Sequence, residues 1–274
     1  IGGCNRIAQF FVYPFSPEEI PRGGWAREHI ARHYFEFEAL KTTGLDALVV
    51  SGANPISATL LEESFWTPLC SVLDWASVEV TSTLCACLAT HAALLYFYGI
   101  ERQPLPTKRW GIFRHRVSQD HPLVRNIDSC FDVPHSRWNE ITSAQMTNVG
   151  LQVLIESDDA GVHLATSADG LRFVYFQGHP EYDHNSLLKE YKREVNRYAA
   201  GEVDEYPPFP DRYFSEKDQR LLDAYAEAIK SRRNRQAKLD EAGNFPENEV
   251  EVENTWEYIG KLVFNNWLEA VSQI

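Results

Sequence analysis

The fold turns on residues 78–94, Val78-Glu79-Val80-Thr81-Ser82-Thr83-Leu84-Cys85-Ala86-Cys87-Leu88-Ala89-Thr90-His91-Ala92-Ala93-Leu94. The first part is rich in β-branched residues, as a strand requires. The last part is Ala- and Leu-rich, as a helix requires. Cys87 falls where the period changes. A cysteine there stands at a helix N-terminus, where free backbone N–H groups and the helix dipole favour thiolate over thiol. The same turn offers backbone donors for an oxyanion. Such a strand–turn–helix is the geometry of a nucleophile elbow, although a buried core cysteine fits this segment alone equally well. Cys85, inside the strand, reads as core.

A base for such a nucleophile lies downstream. The strand-like run Arg172–Phe176 is followed by Gln177-Gly178-His179-Pro180-Glu181-Tyr182-Asp183. A histidine just past the carboxyl end of a strand faces the crevice where α/β sheets bind their ligands. Pro180 restricts the backbone, so Glu181 can turn back and orient the imidazole. Cys87, His179 and Glu181 thereby become candidates for nucleophile, base and orienter.

Further apolar, β-rich runs occupy Ile7–Tyr13, Ala47–Val50 and Leu151–Ile155, and helical spacing occupies Trp25–Leu40, Phe65–Trp75 and Leu88–Tyr98. Short buried strands alternating with helices predict an α/β fold with a mostly parallel sheet and helices on both faces. Gly161–Arg172, with Asp169-Gly170 at its turn, predicts an antiparallel hairpin. With no internal repeat or linker, residues 1–274 read as one domain. The 201–254 stretch stands apart in composition. Pro207-Pro208-Phe209-Pro210 breaks any helix, Ser215 stands as an N-cap three residues before Asp218, and a helix is expected over about 215–238, ending in Arg232, Arg233, Arg235 and Lys238. The expectation is a surface insertion.

The 274 residues carry a net charge of −13, which argues against nucleic acid as a partner. No apolar run is long enough to span a bilayer and no signal peptide is visible, so a soluble, cytoplasmic protein is expected. Among Cys4, Cys70, Cys85, Cys87 and Cys130 no C-x-x-C pair occurs, and no metal site is expected. Lys108, Arg109, Arg114 and Arg116 form a local basic cluster in an acidic chain, suited to a small anionic ligand or to a solvated face.

Taken together, several motifs resemble one known family. Thr81-Ser82-Thr83-Leu84-x-x-Cys87, Ala92-Ala93-Leu94, Tyr98-Gly99-Ile100, Pro134-His135-Ser136-Arg137, Gly178-His179-Pro180-Glu181-Tyr182-Asp183 and Leu262-x-Phe264-x-Asn266-Trp267-Leu268 resemble the homoserine O-succinyltransferases. The resemblance implies a class I glutamine amidotransferase-like, flavodoxin-like fold, usually dimeric, and a role in methionine biosynthesis. It implies acyl transfer from acyl-CoA, used as a co-substrate with no permanently bound cofactor, to the hydroxyl of homoserine or a similar amino acid. On these positions Cys87 matches the acyl-thioester nucleophile, His179 the proton acceptor and Glu181 its partner. Lys108, Ser136 and Arg193 match substrate-binding residues, and Gly52 with Ala53 a loop that completes the oxyanion site.

The sequence departs from the family in three places. Family members carry further N-terminal sequence, including another strand. The 215–241 insertion is atypical. Ile56 occupies a position where Gly goes with succinyl donors and Glu with acetyl donors; a bulky apolar residue offers a distal carboxylate no partner, which leans towards acetyl or another small or apolar acyl group. Two alternatives stay open: a glutaminase or cysteine hydrolase on the same fold, disfavoured because Ala86-Cys87-Leu88-Ala89 lacks the flanking glycines of such glutaminases, and a catalytically silent binding homologue.

Overall fold

The computed structural model describes residues 10–53, 55–235 and 244–274. Seven strands form one sheet in the order β1-β2-β7-β6-β5-β3-β4. They are β1 (Ala47–Val50), β2 (Ser82–Ala86), β3 (Gln103–Val117), β4 (Phe131–Glu140), β5 (Gln152–Ser157), β6 (Gly161–Thr166) and β7 (Phe173–Phe176). The helices are α1 (Gly24–His33), α2 (Phe37–Thr43), α3 (Trp66–Glu79), α4 (Leu88–Tyr98), α5 (Ser143–Asn148), α6 (Ser186–Ala199), α7 (Glu216–Arg235) and α8 (Glu257–Ser272). The fold is the α/β, flavodoxin-like one expected. Its parallel part is confined to β1, β2 and β7, and from β7 outward every pairing is antiparallel. The sheet is therefore mixed, less parallel than the alternation of strands and helices suggested.

Period-2 alternation in the central strands builds two cores. Cys85, Phe173 and Tyr175 face Ala89, Ala93 and Leu94 of α4 and Met146 of α5. Leu84, Val174 and Phe176 face Ile259, Val263 and Trp267 of α8. Every residue of Leu88–Leu94 is buried, which explains the lack of polar side chains there apart from Thr90 and His91. Gly99 closes α4 in the left-handed conformation (φ 65°) with its N–H bonded to the carbonyls of Leu94 and Leu95, a glycine stop.

Several expectations shift by a few residues or more. Strand character at Val78–Thr81 yields to α3, which runs through Glu79, so β2 begins only at Ser82. The Trp25–Leu40 stretch divides into α1 and α2. Of the run Ile7–Tyr13, residues 7–9 lie outside the described residues and 10–13 form no strand. The hairpin at Asp169-Gly170 is present, joining β6 to β7.

The 201–254 stretch is more than a surface excursion. Tyr213, Phe214, Leu222, Phe245 and Val250 are buried with Trp110 of β3 and Leu187 and Tyr191 of α6, a third core. Ser215 caps α7, accepting from the Asp218 N–H at 3.2 Å. The helix runs to Arg235, and Lys238, the last member of the expected basic run, lies outside the described residues. No described helix is long and apolar enough to cross a membrane.

Candidate active site

Between β2 and α4 the chain turns through Cys87, whose φ of 53° and ψ of −113° lie where non-glycine residues are rare. Such a backbone costs on the order of 1–3 kcal/mol and persists only where surroundings over-determine it. Here the Cys87 N–H donates to the Phe176 carbonyl at 2.8 Å, and the Thr90 hydroxyl bridges the Cys85 and Phe176 carbonyls at 2.8 Å each. The sulfur is thus held up from the carboxyl end of the sheet, half-buried. Cys85, by contrast, is fully buried and its thiol is pushed up to about 12 by burial. The two cysteines differ as expected.

His179 stands just beyond β7. Its N–H donates to the Pro134 carbonyl at 2.8 Å, fixing the loop against β4. Glu181 Oε1 takes the Nδ1 hydrogen at 2.8 Å, and the imidazole is hydrogen-bonded to the Cys87 sulfur. Burial alone would lower its pKa; the hydrogen bonds to Cys87 and Glu181, with their charges, outweigh that and raise it to about 10. The site therefore favours an imidazolium beside an anionic partner. Cys87, His179 and Glu181 are brought together as one hydrogen-bonded row.

The loop after β1 closes one side. A Cβ built on Gly52 would lie 3.3 Å from both Cys87 Cβ and Leu88 N, and 3.2 Å from the Ala86 carbonyl oxygen. Glycine is what lets this loop approach the first amide of α4, a donor without an intrahelical acceptor. Further along, Glu63 Oε1 accepts from the N–H groups of both Ile56 and Ser57 at 2.6 Å. The Ile56 side chain itself is 95% exposed, so it does not fill space beside the elbow.

The expected substrate-binding residues gather around a residue the sequence reading missed. Glu190 Oε2 accepts from the Ser136 hydroxyl at 2.6 Å and from Lys108 Nζ at 3.3 Å, while Oε1 accepts from the Tyr182 hydroxyl at 2.6 Å. Burial works against the Glu190 carboxylate, but Lys108, Ser136 and Tyr182 more than compensate and hold it below the usual range. Lys108 also lies over the Trp110 ring at 4.1 Å. Arg193, one turn further along α6, is exposed and turns to Glu194 at 3.1 Å, so it is not drawn into this cluster. The signal for Glu190 was its place on the stripe Leu187, Tyr191, Val195, the buried side of α6.

The basic cluster dissolves on inspection. Arg109 pairs with Glu140 at 3.6 Å, Arg114 with Asp132 at 3.1 Å, and Arg116 with Asp158 at 2.8 Å. Cross-strand and loop carboxylates neutralise what looked like a cationic patch in one dimension. Among the described residues, no group of three or more His, Cys, Asp or Glu could hold a metal ion.

Comparison with known proteins shows the family. The family model described as homoserine O-succinyltransferase matches residues 4–274. The chain is 51% identical over 277 residues to the "Homoserine O-succinyltransferase" of Methylobacter tundripaludum, and 52% identical over 281 residues to that of Methylococcus capsulatus; each alignment covers 100% of this chain and 77% of the relative. Among solved structures, a glutamine amidotransferase from Thermotoga maritima matches with a TM-score of 0.50 at 13% identity, covering 96% of this chain and 97% of that one. One from Methylobacillus flagellatus matches at 0.51 and 16% identity, covering 94% and 92%. Likeness at that identity speaks to the fold alone.

Proposed function

The chain belongs to the homoserine O-succinyltransferase family, and from that premise we propose that it carries a succinyl group from succinyl-CoA, through a thioester on Cys87, to the side-chain hydroxyl of homoserine. The observation that carries this reading is the hydrogen-bonded row of Cys87, His179 and Glu181 at the strand-to-helix turn.

In the first half-reaction the Cys87 sulfur attacks the thioester carbonyl. A new C–S bond forms, the bond to the coenzyme A sulfur breaks, and that sulfur leaves with the proton held on His179. The developing oxyanion sits against the Leu88 amide and the Gly52-Ala53 loop; one such donor is worth about 10²–10³ in rate. Acylation then caps the Cys87 sulfur, whose interaction is among those that raise His179. Its pKa falls, and the neutral imidazole becomes the base the second half-reaction needs. His179 takes the hydroxyl proton, the oxygen bonds to the acyl carbon, and the Cys87 sulfur leaves with its electron pair beside the new imidazolium. The starting state returns.

A zwitterionic acceptor fits the surroundings, because Glu190 offers a carboxylate for its ammonium and Lys108, beside it, a cation for its carboxylate, while Arg193 would have to leave Glu194 to join them. Succinyl is favoured over acetyl because relatives at about half identity carry the succinyltransferase name. Initial rates of thiol release with succinyl-CoA and homoserine varied together test the scheme. Parallel double-reciprocal lines are expected; intersecting lines, or equal turnover with acetyl-CoA, would contradict it.

A further inference from the structure

The imidazole of His179 is held on three sides, and only two of them belong to the row described above. On the third, the Tyr182 ring lies against its face, with centroids 4.3 Å apart and planes 21° from parallel. The backbone beneath that ring is itself fixed. The Tyr182 N–H donates to the His179 carbonyl at 3.1 Å, and the Tyr182 carbonyl accepts from Nε1 of the buried Trp256 at 2.8 Å. At the far end, the Tyr182 hydroxyl donates to Glu190 at 2.6 Å. Burial and the neighbouring Glu190 charge both keep the phenol protonated, so it remains a donor. One side chain therefore spans from the face of the base to the carboxylate on which Lys108 and Ser136 converge.

We propose that Tyr182 is a positioning residue for the second half-reaction: it stacks on His179 and is tied to Glu190, and so fixes the imidazole relative to the pocket that holds the acceptor. The proposal rests on the acyl-cysteine reading above. The two half-reactions make different demands on this link. Acylation of Cys87 needs the contact between sulfur and imidazole, which Glu181 and the stacked ring both support, and its leaving sulfur is brought within reach of the His179 proton by the bond forming at Cys87. Transfer needs a second molecule's hydroxyl placed against the same imidazole, and a misplacement of about 1 Å there can cost on the order of 100-fold. A tyrosine serving only as filler would support both half-reactions alike.

The test uses the full chain and separates the two steps. Tyr182→Phe keeps the ring and cuts the tie; Glu190→Gln leaves the stack and weakens the other end. Each protein is mixed with succinyl-CoA alone, and the rise of the Cys87 adduct is followed by intact mass; homoserine is then added at saturation and the decay of the adduct is followed. Tyr182→Phe is expected to form adduct within about threefold of the unsubstituted rate and to lose it about 10–100-fold more slowly. The double substitution should be no slower than the worse single one, because both act through one link. Decay at the unsubstituted rate in Tyr182→Phe, equal losses in formation and decay, or additive losses in the double substitution would overturn the proposal. Absence of adduct in the unsubstituted protein would instead strike the acyl-cysteine reading, and is recognisable because it needs no substitution.

Discussion

Lowering the pH from 7 to 4.5 should unfold this protein, and the cause lies in four buried histidines. His91, His115, His135 and His163 are all at least 96% buried. Two of them, His115 and His135, form a chain whose donors and acceptors can be assigned, and the His163 ring packs against both. The His115 Nδ1–H donates to the Phe113 carbonyl at 2.9 Å, so its Nε2 must accept from His135 Nε2–H at 3.1 Å, and His135 Nδ1 accepts from Arg137 Nε–H at 3.3 Å. Each of these ring nitrogens is used once only if both rings are neutral; an added proton would set donor against donor. Burial first, then the Arg137 charge, lowers His91 and His115 to about 4 and holds His135 and His163 well below the ordinary 6.5.

The sign follows from linkage. The unfolded chain takes up these protons near pH 6.5, whereas the folded chain refuses them until about 4. Stability is thus fully present above 6.5 and lost as pH falls through that window. A drop from 6.5 to about 4 is worth about 3 kcal/mol for each of His91 and His115. Two such terms rival the whole stability of a typical domain, about 5–15 kcal/mol. The carboxylates held low, Asp169 and Glu190, add their own loss only as pH falls into the ordinary carboxylate range, at the acid end of this window. Urea unfolding at half-unit intervals between pH 7 and 4.5 should show stability falling by more than about 2 kcal/mol per pH unit, the signature of more than one proton. A flat profile above pH 5 would refute the neutral-histidine reasoning.

Two further substitutions probe the site. Gly260→Ala puts a Cβ 2.6 Å from the Pro180 carbonyl oxygen and 3.2 Å from Pro180 Cβ; the residue between His179 and Glu181 must then move, at about 1–3 kcal/mol, and acyl transfer should fall further than the thermal midpoint alone accounts for. Unchanged turnover would show that α8 does not brace this turn. Glu181→Gln removes a charge that raises His179; the imidazolium should titrate at lower pH, with the alkaline limb of adduct formation shifting down and turnover falling about 10–100-fold. A profile that stays in place would remove Glu181 from the role of orienter.

The elbow was legible because its chemistry is local. Where β-branched residues give way to alanine and leucine, β2 ends at Ala86 and α4 starts at Leu88. The start of β2 was misjudged because Val78 and Val80 favour a strand, yet Val72, Ala76 and Val80 pack together with Leu48 of β1 and keep the helix wound; packing overrode propensity. β3 and β4 were invisible as strands. Pro104, Pro106 and Pro134 argue against a ladder, but β4 is an edge strand and β3 carries a register shift between Pro104 and Arg109, and both features accommodate proline. The substrate-binding candidates they carry, Lys108 and Ser136, were given that role through motif resemblance. The partners of Glu190 and the clustering of the histidines were beyond reach for a different reason. Glu190 meets partners 54 and 82 residues away, and His115, His135 and His163 come from three separate strands, so no spacing along the chain records the encounter.

The sharpest test of the account is the intact mass of the protein after brief exposure to succinyl-CoA without acceptor. The account predicts a gain of one succinyl group, about 100 Da, mapping to Cys87 on peptide digestion, absent in Cys87→Ala, and discharged when homoserine is added. A protein that turns over both substrates with no such adduct, or a Cys87→Ala variant that keeps its turnover, would contradict it.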